Sequence, residues 1–202
     1  MTPPRPTRKP DAKKSLAISD ARAMRALAHP LRVALLDLIQ RDGELTATRA
    51  AELLGESPGN MSWHLQTLAK YGFVEEAGTG RGRSRPWRAV GSVVSFDTAL
   101  PDTEGATAGE ALERTYFERT VGQMGEWWSH RAMYSTTWRR ASFMNDTVRY
   151  LTPQELTEVM DAIRAIYDRY PDRRDESADR AEALPVRLHA HGHPIPPTAA
   201  GN

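Results

Sequence analysis

Two groups of side chains in this sequence have types and spacing suited to chemistry on a polyanion. Asn60, Ser62, Trp63 and Gln66 fall within seven residues of one another, on the sides of a helical pattern left over by Met61, Leu65 and Leu68. Asn and Gln can hydrogen-bond bidentately to adenine, Ser can donate or accept, and Trp63 can meet a thymine methyl or wedge against sugar. Downstream, Arg81, Arg83, Arg85 and Arg88 sit in a Gly-rich stretch, and no acidic residue occurs between Glu76 and Asp97. Such a run is suited to tracking phosphates or entering a narrow minor groove.

Other chemistries are excluded or set aside. The chain has no cysteine, which removes thiolate catalysis, thiolate metal sites and disulfides. Gly55-Glu-Ser-Pro-Gly59 matches the string of a nucleophile elbow, but a helical pattern precedes it where a strand is required. His189, His191 and His193 would share one face of a strand, yet they have no nearby carboxylate and are broken up by Gly and Pro. Gly78-x-Gly-x-Gly lacks the strand-to-helix context of a nucleotide-binding loop. No catalytic residue, cofactor or metal is therefore expected, and the chain does not read as an enzyme.

The elements that must position the two groups can be read from their caps. Asp20, with Ser19, opens a helix to about His29, and Pro30 suits the first position of the next, which Arg41-Asp42-Gly43 stops. Thr46 caps a helix rich in small residues (Ala47, Ala50, Ala51), ended by Gly55. Ser57 then caps a helix with Pro58 at its first position, running to Gly72. Ser57 and Gly59 place backbone N–H groups at that helix start, a phosphate site. Phe73–Ala77 and Pro86–Val90 make two strands around the Arg-rich loop.

Helix, tight turn, helix and basic hairpin, together with Ala26-Leu-Ala-His-Pro-Leu-Arg-Val-Ala-Leu-Leu, Ser62-Trp-His-Leu-Gln-Thr-Leu and Tyr71-Gly-Phe-Val, resemble ArsR-type winged helix-turn-helix regulators over residues 20–90. The resemblance implies a homodimeric bacterial repressor or activator. Its second helix, about 58–71, would enter the major groove, with the wing, 78–88, on backbone or minor groove. Metal-sensing members carry cysteines where this chain has Thr46, Ala47 and Thr48, so metal sensing is not expected. The DNA-contacting set is then Ser57, Gly59, Asn60, Ser62, Trp63, Gln66, Arg81, Arg83 and Arg85. Arg32 and Arg49 read as surface or ion-pairing residues, and His64 as structural.

The expected fold is mainly α with a small β-hairpin wing. A basic tail (1–15) precedes a winged helix-turn-helix domain (16–97), a helical dimerisation region (98–171) and a charged linker with a short strand at 185–191 and a loose tail (172–202). A long helix over about 108–134 could pair with its own copy, and Thr152-Pro-Gln-Glu155 opens another helix through a capping box. Trp127, Trp128, Tyr134 and Trp138 supply either a dimer core or a pocket for a small apolar effector.

Charge is split along the chain. Residues 1–91 carry 15 Lys/Arg against 9 Asp/Glu, and residues 92–202 carry 12 Arg against 17 Asp/Glu. A basic half joined to an acidic half favours double-stranded DNA as partner at one end and something else at the other. A hydrophobic content of 40% with 26% charged residues suits a soluble chain. No apolar run approaches the ~20 residues needed to span a bilayer. The N-terminus has no apolar h-region, so cytoplasmic location and no membrane partner are expected. The alternative function is a winged-helix protein-interaction module with weak DNA contact.

Overall fold

The computed structural model describes residues 16–18, 20–78, 85–91, 94–96, 103–170 and 182–196. The chain divides into two units, Met1–Gly125 and Glu126–Asn202.

In the first unit local chemistry starts and stops each helix. Asp20 accepts from the backbone N–H groups of Arg22 and Ala23 and opens α1 (Ala21–Leu27). α2 (Pro30–Asp42) begins with proline, whose missing N–H would be unpaired there anyway. Its cap is His29, whose Nδ1 accepts from the Leu31 N–H at 3.2 Å. Gly43, at φ 91°, ends it. Thr46 caps α3 (Ala47–Leu54), and Ser57 caps α4 (Pro58–Lys70) through the Asn60 N–H at 3.2 Å. Between α3 and α4 lies only Gly55-Glu56-Ser57, and Gly55 takes the left-handed conformation (φ 69°) that lets the chain reverse.

The small side chains Ala47, Ala50 and Ala51 are buried and bring α3 close to α4. Met61, Leu65 and Leu68, spaced i, i+4, i+7, are fully buried and meet Met24, Leu27, Leu35, Ile39 and Phe73 in one core.

A three-stranded antiparallel sheet lies beside these helices in the order β2 (Leu45–Thr46), β4 (Pro86–Ala89), β3 (Val74–Glu76). Cross-strand partners are Leu45 with Trp87, Val74 with Ala89, Glu75 with Arg88 and Glu76 with Trp87. Two further three-residue strands, β1 (Leu16–Ile18) and β5 (Val94–Phe96), pair in parallel. The architecture is the expected one: helical, with a small sheet forming a wing.

The helical domain runs past the boundary expected at residue 97. α5 (Thr103–His130) starts earlier than about 108, and its first turns belong to the core, since Ala108 and Leu112 are buried there. Asp37, buried on α2, accepts from Gln123 Nε2 at 3.0 Å and pairs with the Arg119 guanidinium, both on α5. Further along, Phe117, Val121 and Met124 stand exposed at i, i+4, i+7.

The second unit holds the end of α5, a 3-10 turn at Arg131–Met133, α6 (Thr136–Ala141) capped by Ser135, and α7 (Pro153–Asp168). Thr152 and Glu155 close the capping box that opens α7. No described residue of this unit is buried. The strand expected at 185–191 does not form: residues 182–196 carry no strand. Period-two alternation suits a strand only where a sheet edge receives its hydrogen bonds, and Pro185, Gly192 and Pro194 weaken it further. The basic tail and the charged run 171–181 lie outside the described residues.

Candidate nucleic-acid interface

Burying Met61, Leu65 and Leu68 turns the other sides of α4 outward. Gln66 and Trp63 are exposed, Trp63 at 56%, while Asn60 and Ser62 are half-buried. The Gln66 side chain has no hydrogen-bond partner among the described residues. Asn60 differs: its Nδ2 donates to Glu56 Oε2 at 2.9 Å, so a neighbouring carboxylate already engages it. At the helix start Ser57 is committed as the cap, and Gly59 is exposed with open space where a side chain would be. A helix precedes Ser57, so the hydrolase-like string has no strained serine behind it.

Trp63 is braced from two sides. The Arg32 guanidinium stands 5.7 Å from its ring centre, and the His64 ring meets it edge-on at 4.8 Å. His64 is buried, as expected of a structural histidine, and its ring lies 4.7 Å from that of His29. Arg32 reaches from α2 to the Ala26 carbonyl oxygen. Two buried atoms of this cluster, Arg32 Nε and His64 Nδ1, have no partner. Burial holds the His64 imidazole below its usual range, and His29 and Arg32 push it the same way against a smaller opposing pull from Glu56. His29 is also lowered, by burial and then by Arg32. Sequence reasoning missed this cluster. The signal was His29-Pro30, a helix cap that fixes an imidazole beside the middle of α4.

In the wing, Arg81 and Arg83 lie outside the described residues. Arg85 Nη1 donates to both carboxylate oxygens of Glu76 at 2.7 Å, and Arg88 Nε to Glu75 Oε1 at 2.7 Å. The stretch between Glu76 and Asp97 holds no acid in sequence, but strand pairing brings acids to it from β3. Arg49 pairs with Glu52 on the surface.

In the second unit Trp127 and Tyr134 approach to 5.3 Å, and Arg131 covers the Trp128 ring at 4.3 Å. Trp138 is half-buried on α6, and Trp128 and Tyr134 are exposed. The rings of His191 and His193 are 5.0 Å apart. Among the described residues no three or more His, Asp or Glu side chains gather as metal ligands, and no helix is long and apolar enough to cross a membrane.

These elements make a winged helix-turn-helix domain, with α3 and α4 as the helix pair and β3–β4 as the stem of the wing. A family model described as a helix-turn-helix domain matches residues 27–77, from the end of α1 to the end of β3. The chain thus carries the kind of domain found in DNA-binding transcriptional regulators. Among solved structures, reduced HlyU from Vibrio cholerae N16961 is similar to it at 22% identity over 47% of this chain and 85% of that one, with a TM-score of 0.30. No curated protein matches the chain.

Proposed function

We propose that the chain is a homodimeric, sequence-specific transcriptional regulator acting in the cytoplasm, with α4 in the major groove and the wing against backbone or minor groove. One observation carries this reading. The apolar row of α4 is fully used inside the domain, which leaves Gln66, Trp63 and, less openly, Ser62 on its outer side. An α-helix fits the major groove, where side chains of this type can read base edges. Gln66 is the principal base reader, with Trp63 held ready by Arg32 to meet a thymine methyl. Asn60 must exchange Glu56 for a base. Ser57 and Gly59 lie where the positive helix start favours a phosphate, Arg81 and Arg83 supply wing contacts, and Arg85 must exchange Glu76 for a phosphate to join them. Two copies pair through the exposed Phe117, Val121 and Met124 stripe of α5, since reading two half-sites requires a fixed separation.

Duplexes selected from a random library provide the test. Gln66→Ala should weaken binding to the selected site by about 5- to 150-fold, the 1–3 kcal/mol of a bidentate base contact, and leave random DNA unaffected. Equal loss on both, or failure to select any sequence, would refute base reading by α4.

A further inference from the structure

Among its described residues the second unit has secondary structure but no interior. α7 is well capped, yet even its inward row, Leu156, Met160, Ile163 and Tyr167, is only half-buried. Caps do not hold a 16-residue helix in water by themselves, because packing of an apolar face supplies most of a helix's stability. The stretch 142–152, which holds neither helix nor strand, is exposed throughout, with Phe143 at 74% and Tyr150 at 102%. Among the described residues, fifteen large apolar or aromatic side chains from Trp128 to Ile195 are at least 40% exposed. At roughly 100 Å² uncovered on each, they offer about 1,500 Å² per copy, well above the ~800 Å² that one partner contributes to a standard interface.

Charge says what covers this surface. Residues 131–149 carry Arg131, Arg139, Arg140 and Arg149 against Asp146 alone, a balance of +3. α7 carries Glu155, Glu158, Asp161 and Asp168 against Arg164, a balance of −3. Among the described residues none of those four arginines pairs with a carboxylate, and the one ion pair of the α7 acids is Asp161 with Arg164 on the same helix. A basic segment and an acidic helix of equal and opposite charge, both rich in uncovered apolar side chains and unpaired within one copy, complement each other across two.

We infer that residues 126–196 form an exchanged arm: the basic 131–149 segment of each copy lies on the acidic α7 of a second copy. This deepens the dimer proposed above, which rests on α5 alone, by giving the pair a second, intertwined interface.

Two full-length charge-reversed variants, Arg139→Glu/Arg140→Glu and Glu158→Arg/Asp161→Arg, test it by sedimentation of each alone and of an equimolar mixture. Each alone should dimerise at least tenfold more weakly than the parent. The mixture should regain parental dimerisation as a heterodimer, because each reversed segment then meets a reversed partner. Circular dichroism checks that each variant is folded, and Val159→Asp/Ile166→Asp, which removes exposed apolar contacts of α7, should weaken the dimer as well. If the mixture fails to recover while the four substitutions combined in one chain do, the arm packs on its own α7 and the inference is wrong. If all variants dimerise like the parent, and only Phe117→Asp/Val121→Asp disrupts pairing, the exchange fails while the α5 dimer stands. A parent that is monomeric at micromolar concentration would overturn both.

Discussion

Removing Arg119 should destabilise the first unit more than removing its partner Asp37, although the two form one ion pair. Asp37 is 7% exposed and accepts from both Arg119 and Gln123, so Arg119→Ala takes the paired cation away from a buried carboxylate. Breaking a fully buried pair from one side costs about 3–5 kcal/mol. Here the Arg119 side chain is 31% exposed, so part of the pair's field is already screened, and about 2–3 kcal/mol is expected. Asp37→Ala removes the buried charge itself and lets Arg119 turn to water, and about 1–2 kcal/mol is expected. The double variant, with no buried charge left behind, should then cost about as much as Asp37→Ala alone, a coupling of about 2–3 kcal/mol. Urea titrations read this as midpoint shifts at constant slope. Additivity within about 0.5 kcal/mol would mean that the two residues do not act together and that the pair does not fix α5 to α2.

Three further perturbations test the core and the turn. Folding favours neutral His64 and His29, whose pKa values are lowered, so stability should be complete above the unfolded-state value of about 6.5 and fall as pH drops through it. Urea midpoints at pH 8 and pH 5.5 measure this, and His64→Gln should flatten the profile. Leu65→Ala empties a fully buried site behind the outer side of α4 and should cost about 2–5 kcal/mol by the same titration, lowering DNA affinity only through loss of folded protein. Gly55→Ala meets no atom within 4 Å, so only the left-handed backbone opposes it; about 1–2 kcal/mol is expected, and less for Gly55→Asn.

What was legible in the sequence was what neighbours decide. Asp20, Pro30, Thr46, Ser57 and Gly55 mark helix ends because a cap needs only the next three residues. The inward row of α4 was legible for a similar reason, since helical period alone puts Met61, Leu65 and Leu68 on one side. What escaped depends on distant partners. β2 is two residues long and β1 three, too short to show alternation. The union of Asp37 with Arg119 spans 82 positions. The wing arginines were read along the chain, while their carboxylates come from across the hairpin. The period-two pattern at 185–191 was real but found no sheet edge.

The pairing of Arg85 with Glu76 and of Arg88 with Glu75 bears on how such a regulator would search a genome. Grip on arbitrary sequence comes from cations that displace the ions condensed on the duplex, and these two guanidinium groups already have internal anions. Random sites would therefore hold the protein briefly, and its dwell time would depend on the correct bases beneath α4. Glu75→Gln/Glu76→Gln, by freeing both cations, would lengthen stays at wrong addresses and slow arrival at the right one.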